Sequence, residues 1–237
     1  MSTRPPVPDW FRSANVHCHT PRPDAIVCVT PWGTLDGADH FSVGIHPWEA
    51  DKADSDTWQR LETMAADSRV AAIGECGLDK LRGPAPDVQM AVFRRQAELA
   101  ERLGLPLIIH MVGCWDRLLA LKREMRPTVP WIVHGFRGKP ELARQLADRG
   151  FYLSLGRRFN PDVPAAVPAD AILRETDDSP PARTPTRLWL NFFLSLCVNM
   201  LLLFGFSPGG PQEHRNGPQE PYCPRISPKS KNYIIKT

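Results

Sequence analysis

A closed parallel barrel of the (β/α)8, or TIM-barrel, kind is the fold class that this sequence predicts, and three observations predict it. Eight short apolar runs recur along the chain, most of them continuous in apolar character rather than alternating. Strands buried on both faces of a parallel sheet read this way. Amphipathic helical patterns lie between several of the runs, the signature of repeated βαβ units. The chain has 237 residues, and one such barrel takes roughly 200–250.

The elements follow in order. Residues 1–13 form an extension without the apolar stretch of a signal peptide. The strands are "ANVHC" (14–18), "AIVCV" (25–29), "FSVGI" (41–45), "VAAIG" (70–74), "LPLII" (105–109), "WIV" (131–133), "FYLSL" (151–155) and "AILRE" (171–175). About ten residues, with Pro31, Gly33 and Gly37, separate the second strand from the third, so no helix is expected there. Helices are expected over 57–67, 87–103, 115–124 and 140–150. In the longest, Met90, Phe93, Ala97, Ala100 and Leu103 recur at helical spacing on one face, opposite Arg and Glu. The last begins at Pro140 and stops at Gly150, the expected punctuation for a helix.

After residue 180 the texture changes. Residues 188–206, "LWLNFFLSLCVNMLLLFGF", contain no charge, and 207–237 are rich in Pro, Gly, Ser and Lys, a composition expected of disorder. Three accounts of 181–237 stand open: an unrelated replacement of the end of the barrel, an apolar segment packed on the barrel as a substitute helix, or a membrane contact through 188–206. Charge separates the two parts as well. Residues 183–237 carry seven Lys/Arg against two Asp/Glu, whereas the rest carries 22 against 24. The main body is therefore no basic nucleic-acid binder by overall charge, and any affinity for phosphate must come from a local site. Six cysteines without CxxC spacing point to free thiols and a cytoplasmic setting, with membrane association through 188–206 as the alternative.

Candidate metal ligands stand at or just past the C-terminal ends of the strands, the face on which barrel active sites lie. His17 and His19 sit at i, i+2 on the first strand, which points both imidazoles to the same side. Glu75 lies at the tip of the fourth strand, His110 of the fifth, His134 of the sixth and Asp177 of the eighth. Each alone has a bland reading: HxH as a core pair, "GECGLD" as a strand and turn, Asp177 as a helix cap. Their joint placement at five strand ends favours one or two divalent ions, for which imidazole and carboxylate are suitable donors.

The set "HCH", "VGIHPW", "GECGLDK", "IIH", "VHGFRGKPELARQL", "YLSLG" and "ETDDSP" resembles the TatD family of metal-dependent hydrolases, its shorter bacterial branch above all, over residues 14–180. The resemblance implies an amidohydrolase-like TIM barrel, one or two divalent metals (Mg, Mn or Zn), and hydrolysis of phosphodiester bonds in DNA. It implies that His17 and His19 hold one metal, that Glu75 bridges, and that His110 and His134 complete the second site. It makes Asp177 a metal ligand and the base for a metal-activated water, His46 a neighbour in contact with phosphate, and Arg137 a second phosphate contact. Cys76, beside the bridging glutamate, reads as packing. Three departures accompany the resemblance: Asn15 stands where the family commonly has Asp, the gap between the second and third strands is short, as in the shorter branch, and the segment after "ETD" is unlike the family's closing helix. The rival functional readings are a catalytically impaired or membrane-associated barrel, and a metal-dependent C–N or ester hydrolase on the same scaffold.

Overall fold

The computed structural model describes residues 4–178. The chain divides into two units, 1–184 and 185–237. The apolar run 188–206 and the stretch 207–237 lie outside the described residues, and among the described residues no helix is long and apolar enough to cross a membrane.

Eight parallel strands close in sequence order into a barrel. They are β1 (Asn15–Cys18), β2 (Ala25–Val29), β3 (His40–Val43), β4 (Val70–Asp79), β5 (Leu107–Val112), β6 (Trp131–Val133), β7 (Phe151–Leu155) and β8 (Ile172–Arg174). Four helices fall where the apolar periodicity places them: α1 (Ser55–Ala65), α2 (Pro86–Leu103), α3 (Trp115–Met125) and α4 (Pro140–Asp148). No helix joins β2 to β3, in keeping with the short Pro/Gly-rich gap, and β7 reaches β8 through the single turn α5 (Val163–Ala166).

Two buried layers hold the barrel. The larger packs the outward faces of the strands under the helices. The smaller lies inside the barrel, one residue from each strand except β3: Val16, Ile26, Ala72, Ile108, Ile132, Tyr152 and Leu173. Val7 and Phe11 join this inner layer from the N-terminal segment, so residues before β1 close the lower mouth. Arg4 ties that segment to the ring by donating to Ala147 O (3.1 Å) and Asp170 Oδ1 (2.9 Å).

Two elements differ from the sequence expectation. Strand β4 continues through Glu75 to Asp79, so Glu75 sits within the strand rather than at its tip. The buried face of α2 is also rotated, with Gln89, Val92, Phe93, Gln96, Ala97 and Ala100 inside, while Leu103 is exposed. The two glutamines take inward positions because each satisfies loop backbone. Gln96 accepts from Ile45 N (2.7 Å) and donates to Ile45 O (3.0 Å). Gln89 accepts from Asp79 N (2.7 Å) and donates to the carbonyls of Asp79, Arg82 and Pro84.

Candidate metal centre

The inner apolar layer sets the height of the site. Side chains of a strand alternate, so the residue two beyond an inward one points inward again. Ile108, Ile132, Tyr152 and Leu173 thereby raise His110, His134, Ser154 and Glu175 into a polar layer directly above. Strict alternation would send His17, next to inward Val16, and Glu75, three past inward Ala72, to the outside. Both strands are bulged. Asn15 and Cys18 pair with Ala25 and Val27, and Ile73 and Cys76 pair with Leu107 and Ile109, so each gains one residue on its partner. The bulges turn His17 and Glu75 inward and leave Cys18 and Cys76 in the outer core. Gly74 and Gly77 flank the second bulge with φ of +137° and +144°, and a Cβ on either would run into the backbone of Ile108 or His110.

Five imidazoles then converge on one buried carboxylate. Glu75 Oε1 lies 2.7 Å from His134 Nε2, 2.8 Å from His110 Nδ1 and 3.3 Å from His46 Nε2. Its Oε2 lies 3.4 Å from His17 Nε2 and 3.8 Å from His19 Nε2. Asp177 Oδ1 closes the ring at 3.7 Å from His17 Nε2 and 3.6 Å from His19 Nε2. Burial pushes the Glu75 carboxyl up, but His134, His110 and His17 outweigh it and hold Glu75 well below the usual carboxylate range. Burial pulls His134 down, and Glu75 with Glu175 raises it well above an ordinary imidazole.

The donor set fits a divalent cation. His17 is fully buried, and neither ring nitrogen makes a hydrogen bond among the described residues. Such a group is costly unless something occupies its lone pair. Three sets of donors lie within 4.8 Å of one another: His17, His19 and Asp177; His46, Glu75 and His110; His17, Cys28 and Glu75. All six expected ligands are brought together, and His46 stands beside them as expected, its Nε2 3.3 Å from Glu75 Oε1. Arg137 stands at the rim, Nη2 3.9 Å from Asp177 Oδ2. Cys76 is buried with its thiol directed at Ile108 O. Cys28 accepts from the Glu75 amide at 3.3 Å, and burial, with Glu75 nearby, pushes its thiol up to about 12.

The turn after β8 is tied at both ends. Asn15 accepts from Thr176 N (3.0 Å) and donates to Thr176 Oγ1 (2.8 Å). Asp178 Oδ1 accepts the amides of His19 (2.9 Å) and Thr20 (2.8 Å). Between these anchors Asp177 holds φ +46°, a left-handed conformation that Asp tolerates better than most residues.

Two further residues have no role assigned from the sequence. Asp79 accepts from Trp48 Nε1 (2.7 Å) and lies 3.2 Å from His110 Nε2, so it fixes both. Its spacing of four from Glu75, along one strand, was the available signal. Glu175 accepts from Ser154 Oγ at 2.6 Å and lies 3.7 Å from His134 Nδ1. A cavity of about 410 Å³ opens over the cluster, walled by Thr30, Trp48 and Glu49 as well as His19, Glu75, His110, His134 and Asp177.

The TatD related DNase family model matches residues 32–196, well over half of the chain. This chain belongs to that family. The match reaches beyond residue 180, into the segment that reads as unlike the family. The uncharacterized metal-dependent hydrolase YabD of Bacillus subtilis is 34% identical over 147 residues, 58% of this chain and 58% of that protein. The 3'-5' ssDNA/RNA exonuclease TatD of Cronobacter sakazakii is 34% identical over 57% of this chain and 56% of its own length. The deoxyribonuclease Tat-D of Schizosaccharomyces pombe is 32% identical over 57% of this chain and 50% of its own. The chain thus spans a little over half the length of the first of these curated relatives. Among solved structures, the TatD homolog YJJV of Escherichia coli has a TM-score of 0.60 at 24% identity, covering 73% of this chain and 83% of that one. A TatD family hydrolase of Entamoeba histolytica has a TM-score of 0.55 at 21% identity, covering 65% and 60%. These two structures share the barrel fold.

Proposed function

We propose that this chain is a metal-dependent hydrolase of phosphodiester bonds, a deoxyribonuclease acting on DNA strands. The observation that carries the reading is the convergence of His17, His46, His110 and His134 on the Glu75 carboxylate, with Asp177 at the open edge. His17, His19 and Asp177 would hold one divalent ion, and Glu75, His110 and His134 would hold a second, with His46 beside them. The ions are Mg, Mn or Zn, one or two per chain. When bound, they supply Lewis-acid stabilisation of the phosphoryl group and lower the pKa of water toward about 7. Asp177 accepts the proton of the attacking water: contact with His19 keeps its carboxyl below the usual range, so it is ionised at neutral pH. Arg137 takes a phosphate oxygen. Asp79 and Glu175 keep His110 and His134 oriented.

Local charge supports a polyanionic substrate. The body of the chain is slightly acidic, yet Arg137, Arg157 and Arg158 line one recess beside Asp177, and Arg82 stacks on the indole of Trp48 at 3.5 Å. The nuclease names of the relatives point the same way. Residues 14–180 are the catalytic barrel, with 1–13 an extension and 181–237 an atypical tail. The four described cysteines are free, which fits a cytoplasmic protein.

The test is cleavage of single-stranded and duplex DNA by the purified full chain, with and without each metal, alongside elemental analysis of the same sample. Cleavage should require metal, and Asp177→Asn should lower kcat about 10²–10⁴-fold. Activity that survives both chelation and Glu75→Gln would sink the reading.

A further inference from the structure

We propose that a second cavity, adjoining the metal centre, is a nucleobase subsite. It takes one unpaired base of the strand whose phosphodiester lies over Glu75 and Asp177. The proposal rests on the polynucleotide reading above and adds to it where the substrate is gripped.

The cavity measures about 340 Å³ and shares His110, His134 and Asp177 with the space over the cluster, so a strand in one continues into the other. Its size is in the range of sites that enclose small molecules. Its far wall is aromatic. Trp115, half-buried at the first position of α3, meets Phe136 at 6.0 Å between centroids and 68° between planes. Phe136 is 2% exposed, so this wall is backed by the core rather than by solvent.

Arg137 lines this cavity, its Nη2 3.9 Å from Asp177 Oδ2, and Asp177 also lines the cavity over the cluster. The Arg137 guanidinium is exposed, and Arg157 and Arg158 continue the positive charge along the next loop. The juxtaposition is specific: hydrolysis of a phosphodiester needs cations and a base, and it has no use for an apolar aromatic recess one residue away. A nucleotide has use for both. Its phosphate meets the metal centre and Arg137, and its base has a π-face for Trp115. Stacking of this kind accepts any base, because every base offers such a face. A base can enter only if unpaired, so the recess also selects single strands and frayed ends.

The experiment measures binding separately from cleavage. Fluorescence anisotropy on the full chain compares a labelled oligodeoxynucleotide with the same strand carrying abasic residues. The normal strand should bind roughly tenfold or more tightly. Trp115→Ala should remove that gap by weakening the normal strand, and Trp115→Phe should keep most of it. Equal affinity of the wild type for both strands, or an undiminished gap in Trp115→Ala, overturns the subsite. Should Trp115→Ala fail to fold by circular dichroism, photo-crosslinking of the wild type with a 5-iododeoxyuridine strand decides. Attachment to the tryptic peptide ending at Arg117 supports the subsite, and crosslinks elsewhere or none overturn it. Metal-dependent cleavage of the same strands is read in parallel. Absent cleavage with the base gap intact overturns the nuclease reading and leaves the subsite standing.

Discussion

Glu175 is a buried carboxylate outside the ligand set, and its surroundings say what it does. Its side chain is 1% exposed, with Ser154 Oγ donating to Oε2 and His134 Nδ1 at 3.7 Å. Burial alone would push its carboxyl up, but His134 beside it holds it below the usual range, so it carries a negative charge inside the barrel. That charge fixes the ring of His134 with Nε2 toward Glu75. A carboxylate behind a ligating imidazole both orients the ring and raises its basicity. Glu175→Gln keeps the volume and removes the charge. The fold should survive, and metal affinity should fall about 10–100-fold, read by competition with a chromogenic chelator. Affinity equal to the wild type would reduce Glu175 to a space-filling role.

The elements were legible in the sequence to different depths. All eight strands and the four main helices announced themselves through local apolar periodicity, which needs no knowledge of neighbours. The bulges of β1 and β4 did not. A bulge exists only relative to the strand it pairs with, so nothing local marks the extra residue except the glycines around Glu75. For the same reason His17, His19, His110, His134 and Asp177 could be placed near the barrel mouth, while Glu75 was expected at a strand tip and Asp79 was passed over. The inward glutamines of α2 were missed because a hydrophobic stripe cannot register a polar side chain that serves a loop. Gln89 tests this at the scale of the element. It makes four hydrogen bonds that hold the β4–α2 loop against the helix, one of them to the amide of Asp79. In Gln89→Leu those buried partners go unsatisfied, so stability should fall by about 1–3 kcal/mol in urea denaturation. A loss below a few tenths of that would mean the loop finds other partners.

At the scale of the molecule, the site stands on a column that begins at the other end of the barrel. Phe11 is fully buried against the inner layer, and that layer is the floor on which the polar one rests. The lower mouth of a TIM barrel serves stability rather than chemistry. A defect there should therefore cost folding energy without altering the ligand geometry that β1, β4, β5 and β6 set through their own pairing. Phe11→Ala leaves a void that the closed ring of strands cannot collapse to fill. The expected cost is about 3–5 kcal/mol in denaturant unfolding, with metal content and chelator competition of the folded protein close to the wild type. A small cost would show that the segment before β1 is a dispensable cover. A large loss of metal affinity in protein that remains folded would show instead that the two ends of the barrel are coupled. In that case the strands would have to transmit a shift of one layer, which a closed, densely packed ring resists.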